Sequence, residues 1–255
     1  MVKLIQDRIQ DAVTSLVVRL LRNGGQLSFG GHPSVIPMVE AAATNFSCQD
    51  QSHRPILLYQ SERFRNAPEP LGRRELERSD VARVLWVPAD PWAALERFQL
   101  QDRHRLDERT VMELCQRFVQ HDSKAPQDIA PALAVLRMVM FLHQAPQAIL
   151  SMGGMEGISA EAGMFQDLRP GSPEMPTAFA LRSTYGAARR MLQEEGQQIQ
   201  FVDPPNVPEE MLEPTTDLNI IEQQLMSPIR YDGVMDDLVK ALQARALEES
   251  ADGPL

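Results

Sequence analysis

Cysteine is scarce in this sequence, and the two cysteines stand far apart. Cys48 and Cys115 are the only ones among 255 residues, no CxxC pair occurs, and the histidines show no metal-ligand spacing. A disulfide framework or a structural zinc site needs clustered ligands, so the sequence argues against both. We therefore expect a reducing, cytoplasmic setting and neither a metal nor another cofactor.

Long hydrophobic runs are missing as well. No uncharged apolar stretch approaches the roughly 20 residues that a membrane-spanning helix needs. The first residues carry charges among their apolar positions and lack the core of a signal peptide. No internal repeat and no low-complexity tract occurs. The sequence therefore predicts a soluble protein that has no membrane partner.

Positive charge is in deficit. Lys and Arg number 25 against 35 Asp and Glu, and the formal net charge is −10. Nucleic acids and anionic membranes both favour a basic surface, so general binding to either is not expected. An anionic ligand would need a local basic pocket. The length suits one large α/β domain, or one domain with an appended helical piece, better than two equal domains.

The order of apolar segments predicts strands that alternate with helices. Apolar residues recur at helical spacing from Leu4 to Leu21, before a C-cap signal at Asn23-Gly-Gly. Strands are predicted over residues 26–29, 55–59, 81–87, 148–152, 176–181 and 198–202. Further helices are predicted over residues 35–43, 92–101, 107–120, 128–143, 159–169, 187–194, 218–225 and 234–247. Residues 61–79 are predicted to form an exposed loop, with a solvated turn at residues 103–105.

This alternation indicates an α/β protein with a Rossmann-like, open and mostly parallel sheet, helices on both faces, and additional C-terminal helices. We predict a Rossmann-like domain over residues 1–205 and a C-terminal linker with helices over residues 206–255. Ligands of such sheets bind at the carboxyl ends of the strands.

Three strand-to-helix turns, at residues 29–34, 153–157 and 182–186, contain glycine or hydroxyl side chains. Glycine lets a backbone turn sharply and approach a ligand, and the free N–H groups at a helix start suit phosphate. One such turn is equally well explained as a plain tight turn, but three at one sheet edge predict a nucleotide-like ligand. The candidate binding residues are Phe29, Gly30, Gly31, His32, Ser34, Gly153, Gly154, Met155, Glu156, Gly157, Arg182, Ser183, Thr184 and Gly186.

Two of these stretches carry a family resemblance. Phe29-Gly-Gly-His-Pro-Ser34 and Gly153-Gly-Met-Glu-Gly-Ile-Ser-Ala-Glu161 resemble the SLOG superfamily, which groups the LOG phosphoribohydrolases with the Smf/DprA proteins. The similarity covers most of residues 10–205 and is closest to the sensor branch. That branch occurs in bacterial conflict and anti-phage systems, so the resemblance implies the binding of a nucleotide-derived signal such as an ADP-ribose-like molecule or a cyclic nucleotide.

The LOG enzymes have the pattern Pro-Gly-Gly-x-Gly-Thr-x-x-Glu, preceded by an arginine on the helix before that strand. Arg137 and Glu161 stand at the matching places, so the resemblance implies that they form the catalytic pair if the protein is an enzyme. Three residues depart from the pattern: Met152 replaces proline, Ile158 replaces threonine and Met138 replaces a lysine. One extra residue also lengthens the loop. The phosphate-binding threonine is therefore missing, which favours sensing over hydrolysis.

Single residues keep alternative interpretations. Glu161 could orient ribose hydroxyls or act as an acid/base, or it could simply be a carboxylate placed near a helix N-terminus. Arg137 could bind phosphate or Glu161, or form a structural ion pair. His32 could contact the ligand or hold its loop.

The acidic and hydroxyl residues of the other turns have two interpretations as well. Glu156 would repel phosphate and could face a ribose or base. Ser183, Thr184 and Gly186 could complete a phosphate cradle, or the hydroxyls could cap a helix. Arg182 is the obvious local cation for an anionic ligand.

Three functions follow from these observations. The first is a sensor whose ligand changes its assembly as a homo-oligomer, with an effector protein as a possible partner. The second is an N-glycosidic hydrolase that cleaves a nucleoside monophosphate or NAD. The third is a structural interaction module with a vestigial pocket, obstructed by Met155 or Tyr185. SLOG domains begin with a strand, whereas this sequence starts with the first helix, so that strand is expected to be truncated or replaced by another segment.

Overall fold

A computed structural model describes residues 2–48, 54–68, 71–121, 126–154, 157–168, 177–184, 188, 191, 199–207, 209, 212 and 229–251. Helices and parallel strands alternate along the described chain, which confirms the predicted α/β, Rossmann-like fold. The predicted helices over residues 187–194 and 218–225 lie outside the described residues, apart from Ala188 and Met191.

The described elements follow one another in the predicted order. The first half contains α1 (Val2–Arg22), β1 (Leu27–Gly30), α2 (Ile36–Ala43), β2 (Ile56–Ser61), a 3-10 turn (Glu62–Phe64), α3 (Arg73–Arg78), β3 (Ala82–Val87), α4 (Pro91–Arg97), α5 (Leu100–His104) and α6 (Glu108–His121). The second half contains α7 (Ala130–Gln144), β4 (Ile149–Met152), α8 (Gly157–Leu168), β5 (Ala178–Leu181), a 3-10 turn (Arg182–Thr184), β6 (Ile199–Phe201) and α9 (Asp232–Ala251).

The strands form two three-stranded parallel sheets, in the orders β1-β2-β3 and β4-β5-β6. In the first sheet Leu58 of β2 stands opposite Phe29 and Val84. All six residues of β2 are buried, which agrees with the nearly continuous apolar run expected of a central parallel strand. Because all these pairings are parallel, the strands of each sheet end at one common edge.

The chain divides into two compact units. The first consists of Met1–Gly25, Gln147–Ala162 and Arg169–Leu255, and the second of Gln26–Pro146 and Gly163–Leu168. The predicted boundary between residues 205 and 206 stays a prediction.

The core of the first unit forms where α1 packs along α9. Ala12 and Val17 of α1 are fully buried, which confirms that its apolar face belongs to the core. Polar contacts fix the same pair of helices. Ser15 Oγ donates to Asp232 Oδ1 at 3.3 Å, and the side-chain amide of Gln243 donates to a backbone carbonyl at the end of α1.

The core of the second unit forms around α7, which packs against α6 and against β1, β2 and β3. Phe141 of α7 stacks edge-on between Phe118 and Phe165, with ring centroids 6.5 and 5.4 Å away. Met138 and Met140 are buried, so their predicted place in the core is confirmed. A helix with neighbours on several sides needs apolar residues around most of its circumference.

Three local predictions were wrong. Residues 61–79 are not one loop, because they contain a 3-10 turn and the short helix α3, whose charged sequence buries only Leu76. The helix predicted over residues 92–101 is broken between α4 and α5, where Gln99 has a left-handed φ of 53°. The predicted turn at residues 103–105 begins inside α5, and Arg103 and His104 donate to the carbonyl oxygens of His143 and Leu142.

A buried hydrogen bond joins β2 to the end of α7. Tyr59 Oη lies 2.7 Å from His143 Nδ1. Because burial raises the pKa of the Tyr59 phenol, the phenol stays protonated and is the donor of this hydrogen bond. His143 Nδ1 then accepts, which places the imidazole hydrogen on Nε2. Burial, with the positive charges of Arg103 and Arg83, lowers the pKa of His143 from its ordinary 6.5.

This contact predicts a loss of stability in acid. Because the pKa of His143 is lowered in the folded state, the unfolded chain binds more protons below pH 6.5. The free energy of unfolding is therefore expected to fall as the pH drops from 6.5 through the folded-state pKa, and then to level off. Urea denaturation of wild type and His143→Gln at pH 7.5 and 5.5 would show a smaller pH difference in the variant. His32→Gln, at an exposed histidine, is the control, and equal pH differences in all three proteins would contradict the assignment.

Candidate functional site

The turn that follows β4 requires glycine at two successive positions. Gly153 and Gly154 have φ of 54° and 78°, in the left-handed region that residues with a Cβ atom rarely adopt. A Cβ atom at residue 153 would overlap the side chain of Ile9, and one at residue 154 would overlap the side chain of Ile158. The backbone is thus closely packed on its inner side, and α8 begins three residues after Gly154, at Gly157.

Hydrogen bonds connect this turn to the 3-10 turn after β5. Gly153 N donates to Thr184 Oγ1 at 2.7 Å, and Thr184 Oγ1 donates in turn to the Leu181 carbonyl at 2.6 Å. The Gly153 carbonyl accepts from Ala188 N at 3.1 Å. Two of the three predicted turns are therefore in direct contact in the first unit. The Thr184 hydroxyl, fully buried, is engaged by the backbone.

Arg182 is held by two carboxylates. Its Nε lies 3.0 Å from Asp203 Oδ2, and its Nη1 lies 2.6 Å from Glu209 Oε1. The guanidinium also lies over the Phe201 ring, 4.7 Å from the centroid. An anionic ligand would have to compete with these carboxylates, so the assignment of Arg182 as the ligand's cation stays a prediction with a clear structural alternative.

Ser183 contributes buried polar groups to the same turn. Its N–H donates to Asp203 Oδ1 at 2.7 Å, and its carbonyl accepts from Arg8 Nη1 at 3.2 Å. Its hydroxyl is buried and has no hydrogen-bond partner within the described part of the chain, and the same is true of the Tyr231 hydroxyl. Burial raises the pKa of Tyr231, while the Ser183 hydroxyl and the Arg8 guanidinium oppose the rise. The two hydroxyls and the Arg8 guanidinium are thus close enough to interact, although neither hydroxyl makes a hydrogen bond of good geometry within the described residues.

The third predicted turn lies in the second unit and is stabilised by its own hydrogen bonds. Gly31 N donates to the Tyr59 carbonyl at 3.0 Å, and the His32 carbonyl accepts from Val35 N at 3.0 Å. His32 Nδ1 accepts from Ser34 N at 3.3 Å and lies 2.7 Å from Ser34 Oγ. His32 therefore holds its loop in this structure, as one of its two interpretations predicts.

Close packing surrounds Gly31 as well. Phe29 and Gly30 end β1, and a Cβ atom at Gly31 would lie 2.6 Å from Gln60 Nε2. Gln60 is buried, and its Oε1 accepts from Arg73 Nη1 at 3.3 Å. The absence of a side chain at residue 31 thus makes room for Gln60, at the edge where β1 and β2 end.

The residues implied as a catalytic pair lie in different units. Arg137 belongs to α7 and is buried, with 6% of its surface exposed. Glu161 lies in the second turn of α8 and is half-buried. Their action as a pair stays a prediction. Met155, Glu156, Tyr185 and Gly186 lie outside the described residues.

Sequence reasoning missed the residues that support these turns. Ile9 was predicted only as part of an apolar helix face, and Gln60 was assigned no role. A positional signal existed for Asp203, because it follows the last strand, β6, where parallel sheets collect ligand-site residues. Arg8 gave no such signal, because a basic residue in an amphipathic helix is usually solvated.

Two further features are absent from the described part of the chain. Within the described ranges, no three His, Cys, Asp or Glu side chains lie together as metal ligands. Within the same ranges, no helix has both the length and the apolar composition required to cross a bilayer.

Comparison with known proteins identifies the family. No curated protein and no solved structure matches the chain significantly. A family model described as the SLOG cluster3 family matches residues 6–95 and 101–204. The matched ranges contain all three strand-to-helix turns and confirm the resemblance to the SLOG superfamily. The chain therefore belongs to the SLOG cluster3 family.

Proposed function

We propose that the protein senses a nucleotide-derived signal, either an ADP-ribose-like molecule or a cyclic nucleotide. The signal binds at the two strand-to-helix turns of the first unit, after β4 and β5, and changes the assembly of the protein as a homo-oligomer. An effector protein in a bacterial anti-phage defence system reads that change.

Membership of the SLOG family supports a nucleotide-related binding role, or a LOG-like role, in general terms. The observation that carries the narrower proposal is the backbone at Gly153 and Gly154. Two successive left-handed residues without side chains, fixed from the inside by Ile9 and Thr184, stand three to four residues before the start of α8. Such a backbone lets a phosphate approach the N–H groups of a helix start.

The turn at residues 182–184 supplies a second argument for a ligand. Ser183 and Tyr231 are each 2% exposed, and their hydroxyls interact with each other and with Arg8 without making a hydrogen bond of good geometry within the described chain. A buried hydroxyl without a well-formed hydrogen bond destabilises the folded state by up to about 1–3 kcal/mol. A ligand that hydrogen-bonds to these groups would remove that penalty.

Sensing is favoured over cleavage because an apolar residue stands in the place of the LOG threonine. Ile158 stands in its place, and its side chain packs beside Gly154. The nearest buried threonine hydroxyl, at Thr184, is occupied by Gly153 N and the Leu181 carbonyl. Phosphate would thus meet backbone N–H groups and lack the hydroxyl that the hydrolases use.

Titration calorimetry against ADP-ribose, NAD and cyclic nucleotides would test this proposal, with light scattering to follow assembly. Ser183→Ala is expected to weaken binding by about two- to tenfold, the effect of one hydrogen bond. Ser151→Ala is the matched control, because it also removes a buried hydroxyl without a described partner, on β4. Failure of every nucleotide to bind the folded protein would refute the proposal.

A LOG-like hydrolase is the second candidate, a role that membership of the SLOG family supports in general terms. In this reading Arg137 and Glu161 cleave an N-glycosidic bond. Chromatography of nucleotides incubated with wild type and Glu161→Gln would decide: activity that survives the substitution excludes Glu161. If neither binding nor turnover is found, the remaining reading is an interaction module with a vestigial pocket.

A further inference from the structure

A cleft in the second unit lies along β3. Its volume is about 520 Å³, within the range of pockets that hold small ligands. Four consecutive residues of β3, residues 83–86, form one side. Residues at the end of α4, at the break before α5 and at the end of α7 form the other. None of these residues belongs to the three strand-to-helix turns.

The charge of this cleft is opposite to that of the protein. Arg65, Arg83 and Arg97 line it, with Glu62 as the one carboxylate among the described lining residues, whereas the chain as a whole carries −10. Glu62 Oε1 lies 2.5 Å from Arg97 Nη1 and 3.8 Å from Arg65 Nη1. One carboxylate cannot occupy all the N–H donors of two guanidinium groups. Arg83 is exposed on β3 and forms no ion pair with any residue that the structure describes, so the cleft has cationic capacity left for an anion.

Aromatic rings stand beside these cations. The guanidinium carbons of Arg65 and Arg73 lie 5.4 and 5.3 Å from the centroid of the Trp86 ring, and such stacking restricts the orientations of the arginines. Phe98 meets the His143 ring edge-on at 5.0 Å and is half-buried in the wall of the cleft. The cleft thus combines oriented cations with a partly exposed aromatic surface.

The backbone edge of β3 argues against a peptide as the occupant. Alternate residues of a strand direct their backbone groups to the same side, and Ala82, Val84 and Trp86 direct theirs away from β2. The Ala82 carbonyl accepts from Arg54 Nη1 at 2.8 Å, and the Trp86 carbonyl accepts from Arg97 Nη1 at 3.2 Å. Addition of a peptide strand needs these carbonyls, and side chains of this kind block such edges.

We propose that this cleft binds a small phosphate-bearing ligand of nucleotide size, with its phosphates held by Arg83 together with Arg65 and Arg97 and its ring placed against Phe98. The site is separate from the three strand-to-helix turns and goes beyond the function proposed for them. Its ligand is recognised by charge and by one aromatic surface, without a glycine turn.

Titration calorimetry of the full chain with ADP and with inorganic pyrophosphate would test the site. Arg83→Gln is expected to weaken the binding of both probes by about tenfold, because it removes a charge-assisted hydrogen bond. Phe98→Leu is expected to weaken ADP binding and to leave pyrophosphate binding unchanged. Arg117→Gln is the matched control, because it removes one exposed arginine charge from α6 of the same unit, outside the cleft.

Five results would overturn the proposal. Equal weakening by Arg83→Gln and Arg117→Gln would mean that the probes respond only to overall charge. If neither probe binds to the folded wild type, the proposed site does not exist. If Phe98→Leu weakens ADP and pyrophosphate binding equally, the proposed contact between the ligand ring and Phe98 is wrong. Displacement of ADP by a short poly-glutamate peptide would reassign the cleft to acidic peptides. If Ser183→Ala weakens binding and Arg83→Gln does not, the ligand binds at the strand-to-helix turns and not in the cleft. The two proposals can therefore fail separately.

Discussion

Replacing Gly153 with alanine is expected to destabilise the protein by about 2–3 kcal/mol. The left-handed conformation alone costs a residue with a Cβ atom roughly 1–2 kcal/mol, and the φ of Gly153 is 54°. The new methyl group would also overlap Ile9 of α1, and forcing an extra carbon into a packed region adds about 1 kcal/mol. Urea denaturation of the two proteins measures the difference.

Two other glycines of the same unit separate the cost of the left-handed conformation from the cost of the close packing. Gly24 has a φ of 68° and nothing within 4 Å of an added Cβ atom, so Gly24→Ala reports the conformational cost alone, about 1 kcal/mol. Gly233 lies in α9 with open space around it and no positive φ. Gly233→Ala is expected to be neutral or to stabilise the protein by up to about 1 kcal/mol. If Gly153→Ala were no worse than Gly24→Ala, the close packing against Ile9 would not matter.

Replacing Arg182 with methionine is expected to cost more, about 3–5 kcal/mol. The Arg182 side chain is 12% exposed and Asp203 is 5% exposed, so the substitution leaves a buried carboxylate without its counter-ion. Among the described residues Asp203 would keep only the hydrogen bond from Ser183 N. Thermal and urea denaturation would both report the loss.

Two variants test this explanation. Glu209→Gln removes the other carboxylate of the pair, which is 64% exposed, and exposed ion pairs contribute at most about 1 kcal/mol. The double variant Arg182→Met/Asp203→Asn no longer has a buried charge and is expected to recover part of the stability lost in Arg182→Met. No recovery would mean that packing against Phe201, rather than charge, explains the loss.

The architecture was largely predictable because periodicity and turn chemistry are local properties. The apolar period of α1, its C-cap glycine and the glycines after β4 are all visible in a short stretch of sequence. The short charged helix α3 was missed because its only buried residue is Leu76, which leaves no periodic signal. The break at Gln99 was missed because glutamine is not a residue type typical of the left-handed conformation.

The interaction partners of the site residues were less predictable than the positions of these residues in the fold. Arg182 looks like a free cation in the sequence, because Asp203 and Glu209 follow it by 21 and 27 residues. The cationic cleft has no motif at all, since Arg65, Arg83 and Arg97 come from three separate elements. A single signal was present: Arg83 interrupts an otherwise apolar strand. Pairings between distant residues depend on the fold and cannot be read from spacing.

The composition of the two units sets an order of events during synthesis. The second unit is drawn almost entirely from Gln26–Pro146, whereas the first needs α1 and also segments that follow Pro146. At roughly 5–20 residues per second, translation delivers α9 on the order of 10–40 s after α1. The apolar face of α1 lacks its native helix partner throughout that interval. We therefore expect the part of the α1 surface that α9 covers to be open to chaperone binding on the ribosome until α9 has been synthesised.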